Sequence, residues 1–248
     1  MKSVLTTITL LFLSLPLFAD CMSGAKYFYP SENTITQDGQ ILIEMYGNQQ
    51  HIISKLIHAE VYLEASNSNR IELYLVESNK GEFRLSQALF CPNTPLVVGE
   101  HYTFKYIPSG SKKPITFNRY LKNSKTNTAL SWEVIPDNNN EEVNLDFKFQ
   151  SKEVQYYGCG PSMYLNFTIE NDKMVLYKVK LTNNSNKRSS EYILRAHEGI
   201  LKIGHGMCSG AFNFLPQTTY TAAISILDSQ GLPSERVFNY SFDSPRTK

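Results

Sequence analysis

Two glycine-rich segments carry the residues of this chain best suited to chemistry. In Gly204-His205-Gly206-Met207-Cys208-Ser209-Gly210 a histidine stands three residues before a cysteine. In that arrangement an imidazole can take the thiol proton and leave a nucleophilic thiolate. A plainer reading outweighs it. Tyr157-Gly158-Cys159-Gly160-Pro161 is equally glycine-rich, and in an exported chain two such cysteines are most simply the halves of a disulfide, the glycines letting two backbones approach closely. His205 is then a structural or surface histidine. Cys91, in Phe90-Cys91-Pro92-Asn93, carries no catalytic cue.

Other chemistries find less. The histidines His51, His58, His101, His197 and His205 are dispersed, and no pair has zinc-ligand spacing on a helix or strand. Asp137-x-Asn139-x-Glu141 looks like the start of a calcium loop, but Glu142 stands where that loop requires glycine and no twelfth-position ligand follows. A solvated linker is the better reading. There is no Gly-x-Ser-x-Gly elbow and no glycine-rich phosphate loop between a strand and a helix. The chain therefore reads as non-enzymatic, with no catalytic residue, metal ligand or cofactor. Asn-x-Ser/Thr triplets at Asn166, Asn183 and Asn239 are no more than a chain rich in Asn, Ser and Thr supplies by chance.

Compartment follows from the start of the chain. Lys2 is the only charge before Asp20, residues 4–18 are dominated by Leu, Ile, Phe and Val, and Leu17-Phe18-Ala19 ends the run. This is the pattern of a secretory signal, residues 1–19, cleaved after Ala19. Asp20 stands where a lipoprotein signal places a small uncharged residue, which leaves Cys21 to pair rather than to carry lipid. No later stretch reaches the roughly 20 apolar residues of a membrane-spanning helix. Cleavage removes Lys2, one of 24 basic residues, and so balances the 23 acidic ones. A neutral chain lacks the basic excess that nucleic acid or an anionic membrane surface demands.

The elements that must position these residues are strands. Period-two alternation marks residues 41–45, 61–64, 71–76, 83–90 and 102–107 in the first half. In the second it marks 163–169, 175–182, 192–195, 200–203, 220–226 and 237–242. Asp38-Gly39 and Asn79-Lys80-Gly81 predict tight turns with positive-φ glycines. Residues 51–58 fit a short helical turn, a strand or a loop about equally well.

The halves echo each other. Cys91 is followed by Tyr102-Thr103 and Cys208 by Tyr220-Thr221, each after a Pro-containing turn. Residues 93–108 and 215–235 resemble the late strands of bacterial Ig-like and fibronectin type III-like domains, where a Pro/Gly turn precedes Tyr-Thr. The resemblance implies an all-β chain of two tandem Ig-like/fibronectin type III-like β-sandwiches, at residues 20–136 and 137–248, with an alternative boundary at residues 109–114. Trp132 then lies on the last strand of the first domain, placed to pack between domains. Four cysteines permit three connectivities; if each half folds as its own unit, only Cys21 with Cys91 and Cys159 with Cys208 keep one disulfide in each.

The expected role is a binding or structural module of the cell surface, periplasm or extracellular space, contacting protein or glycan. The alternative is an Ig-like periplasmic chaperone that works through a strand edge, for which Arg119 is the nearest cleft cation. A cysteine-dependent enzyme using Cys208 is the remaining reading.

Overall fold

A computed structural model describes residues 24–121, 126–137, 146–158, 160–169 and 175–246. The signal segment, Cys21, Cys159 and most of the expected linker, including Asn139 and Glu141, lie outside the described residues. The first half forms β1 (Gly24–Tyr29), β2 (Thr34–Thr36), β3 (Ile41–Gly47), the helix α1 (His51–Leu56), β4 (Glu60–Ala65) and β5 (Arg70–Lys80). It continues with β6 (Leu85–Pro92), β7 (His101–Ile107), β8 (Ile115–Thr116), β9 (Asn118–Leu121), β10 (Thr126–Ala129) and β11 (Ser131–Ile135). The second half forms β12 (Phe147–Tyr157), β13 (Gly160–Ile169), β14 (Leu176–Asn183), β15 (Ser189–Arg195), β16 (Ile200–His205), β17 (Thr219–Leu227) and β18 (Pro233–Asp243).

Each run that alternates in sequence lies within or overlaps one of these strands. β12 escapes sequence reading because Lys, Gln, Ser and Glu fill its centre and a bulge between Phe149 and Ser151 breaks the period of two. Residues 51–56 resolve as helix because Ile53 and Leu56, three apart, reach the core together.

Nine strands of the first half form one sheet in the order β1-β3-β6-β5-β4-β7-β11-β2, with β8 on β7, and β9 and β10 pair as a separate two-stranded sheet. β5 is its corner: Arg70, Ile71 and Glu72 pair with β4, while the strand from Leu73 onward pairs with β6. The sheet curls around a core that includes Ile43, Leu63, Phe90, Phe104 and Trp132. Trp132 fills this core, with its indole N–H donating to Pro30 O at 3.0 Å. It does not pack between the halves. In the second half β12-β13-β16 faces β15-β14-β17-β18 across Leu165, Phe167, Val179, Tyr192 and Ile224.

The expectation of two separate Ig-like or fibronectin type III-like sandwiches, one disulfide each, is overturned. Nine of the strands of the first half make one curled sheet rather than two packed ones, and the core of the second half takes in Tyr46 and Leu85 from the first. A further buried cluster bridges the halves, with Tyr29, Leu42 and Leu89 against Leu176, Ile193 and Leu227. Cys91 is a buried free thiol, which rules out the bond to Cys21. Among the described residues no disulfide joins two cysteines.

The physical reason lies in β3 and β6. A sandwich strand of a free-standing domain has one face in the core and one in water, but β6 is buried at every position from Leu85 to Cys91. Ala88 and Phe90 enter the first core, whereas Leu85 and Leu89 point the other way, into the second half. β3 repeats this with Ile41, Ile43 and Met45 on one side and Leu42 and Tyr46 on the other.

Between them sits a polar fastening. Gln87 is fully buried, accepts Ile193 N–H at 2.8 Å and donates to Ile193 O at 3.1 Å. Ile193 lies on β15, an edge of its sheet, so the Gln87 amide stands in for the missing neighbouring strand. Asn79 donates to Gln87 Oε1 at 3.3 Å, Tyr192 donates its hydroxyl proton to Glu44 at 3.1 Å, and Lys178 pairs with Glu77 at 2.5 Å.

The turn glycines also differ from expectation. Gly39 and Gly81 do not take positive φ. They are needed for close approach: a Cβ on Gly39 would lie 2.2 Å from Ile35, and one on Gly81 2.8 Å from Gly210 O. The echo between the halves has a structural counterpart, for the hydroxyls of Tyr102 and Tyr220 accept N–H groups five residues upstream, from Val97 at 3.4 Å and Leu215 at 2.8 Å.

Gln87→Ala strands the N–H and C=O of Ile193 inside the seam. It should lower unfolding free energy in urea by about 2–4 kcal/mol, with Asn79→Ala costing clearly less. Equal, small losses in both variants would show that the seam does not depend on this amide.

Candidate functional site

Where the seam meets solvent it opens into a cleft of ≈ 290 Å³. One wall comes from the first half. Tyr27 on β1 stands opposite Glu44 on β3, which stands opposite Gln87 on β6, so a single polar row runs from the cleft mouth to the buried fastening. Tyr27 is 39 % exposed. Burial pushes the Glu44 carboxyl above the usual carboxylate range, outweighing the Arg195 guanidinium and the hydrogen bonds from Tyr192 and Gln87. Arg195, the last residue of β15, is exposed at the cleft and its charge reaches Tyr27, Tyr29 and Glu44. Its side chain makes no hydrogen bond or ion pair among the described residues.

The other wall is the outer face of the three-stranded sheet. Its register sets Glu153 beside Tyr164 beside Gly204, and Ser151 beside Asn166 beside Lys202. Gly204 has φ +147, and a Cβ there would fall 2.0 Å from Met163 O. Glycine at this position also leaves the Tyr164 ring without a cross-strand side chain beside it. The Lys202 ammonium lies 5.4 Å from the Tyr164 ring centroid and 3.1 Å from Glu153. Hydrogen bonds from Asn166 and Lys202 hold the Glu153 carboxyl below its ordinary range.

The glycine-rich loop singled out by sequence does other work. His205 is buried, its Nδ1 lies 2.8 Å from Gly206 O, and its ring stacks on Phe83 with centroids 4.0 Å apart. Burial lowers its pKa, which favours a neutral, structural imidazole. The loop receives the β5–β6 turn of the first half: Phe83 N–H donates to Gly210 O at 3.1 Å, Gly210 N–H returns to Phe83 O at 3.2 Å, and Glu82 N–H donates to Ala211 O. A Cβ on Gly210 would sit 2.2 Å from His205 Cβ. The glycines therefore let two halves of the chain dock. Cys208 packs against the second core and is not free.

Cys91 lies far along the same seam, its Sγ 3.7 Å from Ser229 O, and burial pushes its thiol up to about 11. A thiol so held is inert. Among the described residues no group of three His, Cys, Asp or Glu side chains could hold a metal, and the calcium-like triplet falls mostly outside them. Arg119 is committed to packing: it donates to Pro30 O, Ser31 O and Glu32 O and lies over the Trp132 ring at 5.2 Å. Asn166 is buried, with its amide on Ser151 and Glu153, so it offers no glycosylation acceptor. Sequence reasoning missed Tyr27, Glu44, Tyr164 and Arg195. Glu44 alone carried a signal, as a lone charge inside Ile41-Leu42-Ile43-Glu44-Met45-Tyr46.

No protein-family model matches this sequence, and no curated protein does. Among solved structures, the pullulanase of Anoxybacillus sp. LM18-11 is similar in two crystal structures, one with maltotriose bound. The alignments cover 86 % and 81 % of this chain at 10 % identity, with TM-scores of 0.26 and 0.25. The chain spans about a quarter of the pullulanase, 25 % and 24 %. A likeness at that score carries neither fold nor function across.

Two outcomes test the chemistry of the seam. A carboxyl with a raised folded pKa contributes its stability below the ordinary value of 4.5 and loses it as pH rises through the folded value. Glu44→Gln, which keeps an acceptor for Tyr192, should therefore melt above the wild type at pH 7, with the gap closing by about pH 4. Cys91 should resist a thiol reagent in the native protein and react in denaturant without any reductant.

Proposed function

We propose that this chain is a non-enzymatic binding module of an exported compartment, and that it takes a saccharide in the cleft between its halves. One observation carries the reading: Tyr27 from one half and Tyr164 from the other line the same cleft as the ionisable groups Glu44, Arg195 and Lys202. A sugar ring presents an apolar C–H face to an aromatic side chain and hydroxyls to carboxylate, guanidinium and ammonium groups. Export rests on the signal pattern of residues 1–19. Among the described residues no helix is long and apolar enough to cross a membrane.

The non-catalytic part of the reading draws on the fate of the one constellation that invited chemistry. His205 is packed beneath Phe83 and Cys208 is not free, so neither serves as base or nucleophile. The strand-edge chaperone is less well supported. The edges of the nine-stranded sheet, β1 and β2, have 6 and 3 residues, and Arg119 is tied to backbone carbonyls rather than open to a client.

Calorimetry of the mature chain against a panel of oligosaccharides tests the proposal. At least one should bind and be recovered uncleaved, and Tyr27→Ala and Tyr164→Ala should each weaken it tenfold or more without shifting the melting temperature by more than a few degrees. Absence of binding across neutral, acidic and amino sugars would overturn the saccharide reading, and release of cleaved product would overturn the non-catalytic one.

A further inference from the structure

We infer that the cleft selects a saccharide unit bearing a carboxylate, with Arg195 as the group that holds the acid. The inference rests on the saccharide reading above and adds the chemical class of the ligand. Of the cleft cations, Lys202 is already neutralised by Glu153 at 3.1 Å. Arg195 has no such partner among the described residues, although Glu44 lies on the same cleft. Glu44 is instead engaged by the Tyr192 hydroxyl at 3.1 Å. The cleft thus presents one unpaired guanidinium beside a tyrosine wall.

A guanidinium is a planar fork of N–H donors that fits a carboxylate through two parallel hydrogen bonds. Held there by its acid group, a sugar ring meets Tyr27 from the first half and Tyr164 from the second, both on the cleft lining. The volume, ≈ 290 Å³, lies at the low end for ligand pockets and suits one monosaccharide unit of a longer chain. A doubly charged phosphate fits less well. Such groups collect several converging donors, whereas here Lys202 is taken by Glu153 and Arg195 is left as the one unpaired cation on the cleft among the described residues.

The test uses the full mature chain and calorimetry with a glucuronate- or galacturonate-containing oligosaccharide, its methyl ester, its neutral counterpart, a sulfated analogue and a short acetylated peptide with a free C-terminal carboxylate. The acid should bind at least tenfold more tightly than its methyl ester. Arg195→Gln should erase that preference, and Arg195→Lys, which keeps the charge without the fork, should restore only part of it. The Arg195 side chain is exposed and touches the fold only through its charge on Glu44, Tyr27 and Tyr29, so at pH 4, where the Glu44 carboxyl is protonated, both variants should keep the wild-type melting temperature, which separates a ligand role from a structural one. Equal binding of acid and ester, an unaltered preference in Arg195→Gln, or tighter binding of the sulfated sugar or the peptide overturns acid selection. If the neutral sugar still binds in those cases, the saccharide reading survives; if no sugar binds, both fall.

Discussion

A glutamine side chain acting as a strand holds this protein together. β15 ends its sheet with the N–H and C=O of Ile193 turned toward the first half, and groups of that kind cannot be buried bare without a cost of about 1–3 kcal/mol each. Gln87 meets both. It can do so only because β6 has no wet face, and β6 has none because the second half covers it. Fastening and fold therefore depend on each other: the apolar contacts of Leu42, Leu89, Leu176 and Ile193 exclude water, and in the dry seam the amide pair gains strength that it would lack in solvent.

The cleft is the wet end of that seam. The row that begins at Gln87 continues to Glu44 and then Tyr27, so a side chain in contact with the cleft is one strand away from the buried fastening. Glu44 shows the tension. A neutral glutamine could accept the Tyr192 hydrogen bond, yet the chain keeps a carboxyl whose charged form burial disfavours. Groups whose pKa is shifted by their surroundings gather at functional sites, and this one lines a concave surface together with Arg195, whose side chain has no ion pair among the described residues. The opposite wall is the polar outer face of β13 and β16, so the site is assembled from both halves and exists only while they are docked.

The glycine-rich loop illustrates how a motif can be informative for a reason other than its apparent chemistry. His205 and Cys208 in Gly204–Gly210 look like a catalytic pair, but the loop is a socket for the β5–β6 turn, with Phe83 stacked on His205 and its backbone paired with Gly210. In the sequence the glycines predict that the Cys159 and Cys208 segments approach; Cys159 lies outside the described residues, and the close approach the structure describes is to the backbone of residues 82–83 in the other half.

The strands were legible in the sequence. Local alternation in runs such as 102–107 and 220–226 reports which residues share a face, and that property is fixed by the two-residue period of the strand itself. The echo of Tyr102 and Tyr220 was legible for the same reason, since each hydroxyl bonds to a backbone only five residues away. What faces the second side of a strand is not a local property. Leu85, Gln87 and Leu89 alternate with Ser86, Ala88 and Phe90, and only tertiary packing decided that the first row faces another sheet, that Cys91 is shut in as a free thiol, and that Tyr27, Glu44, Tyr164 and Arg195 meet. Those four come from β1, β3, β13 and β15, and no spacing along the chain can encode a meeting that depends on how two sheets dock.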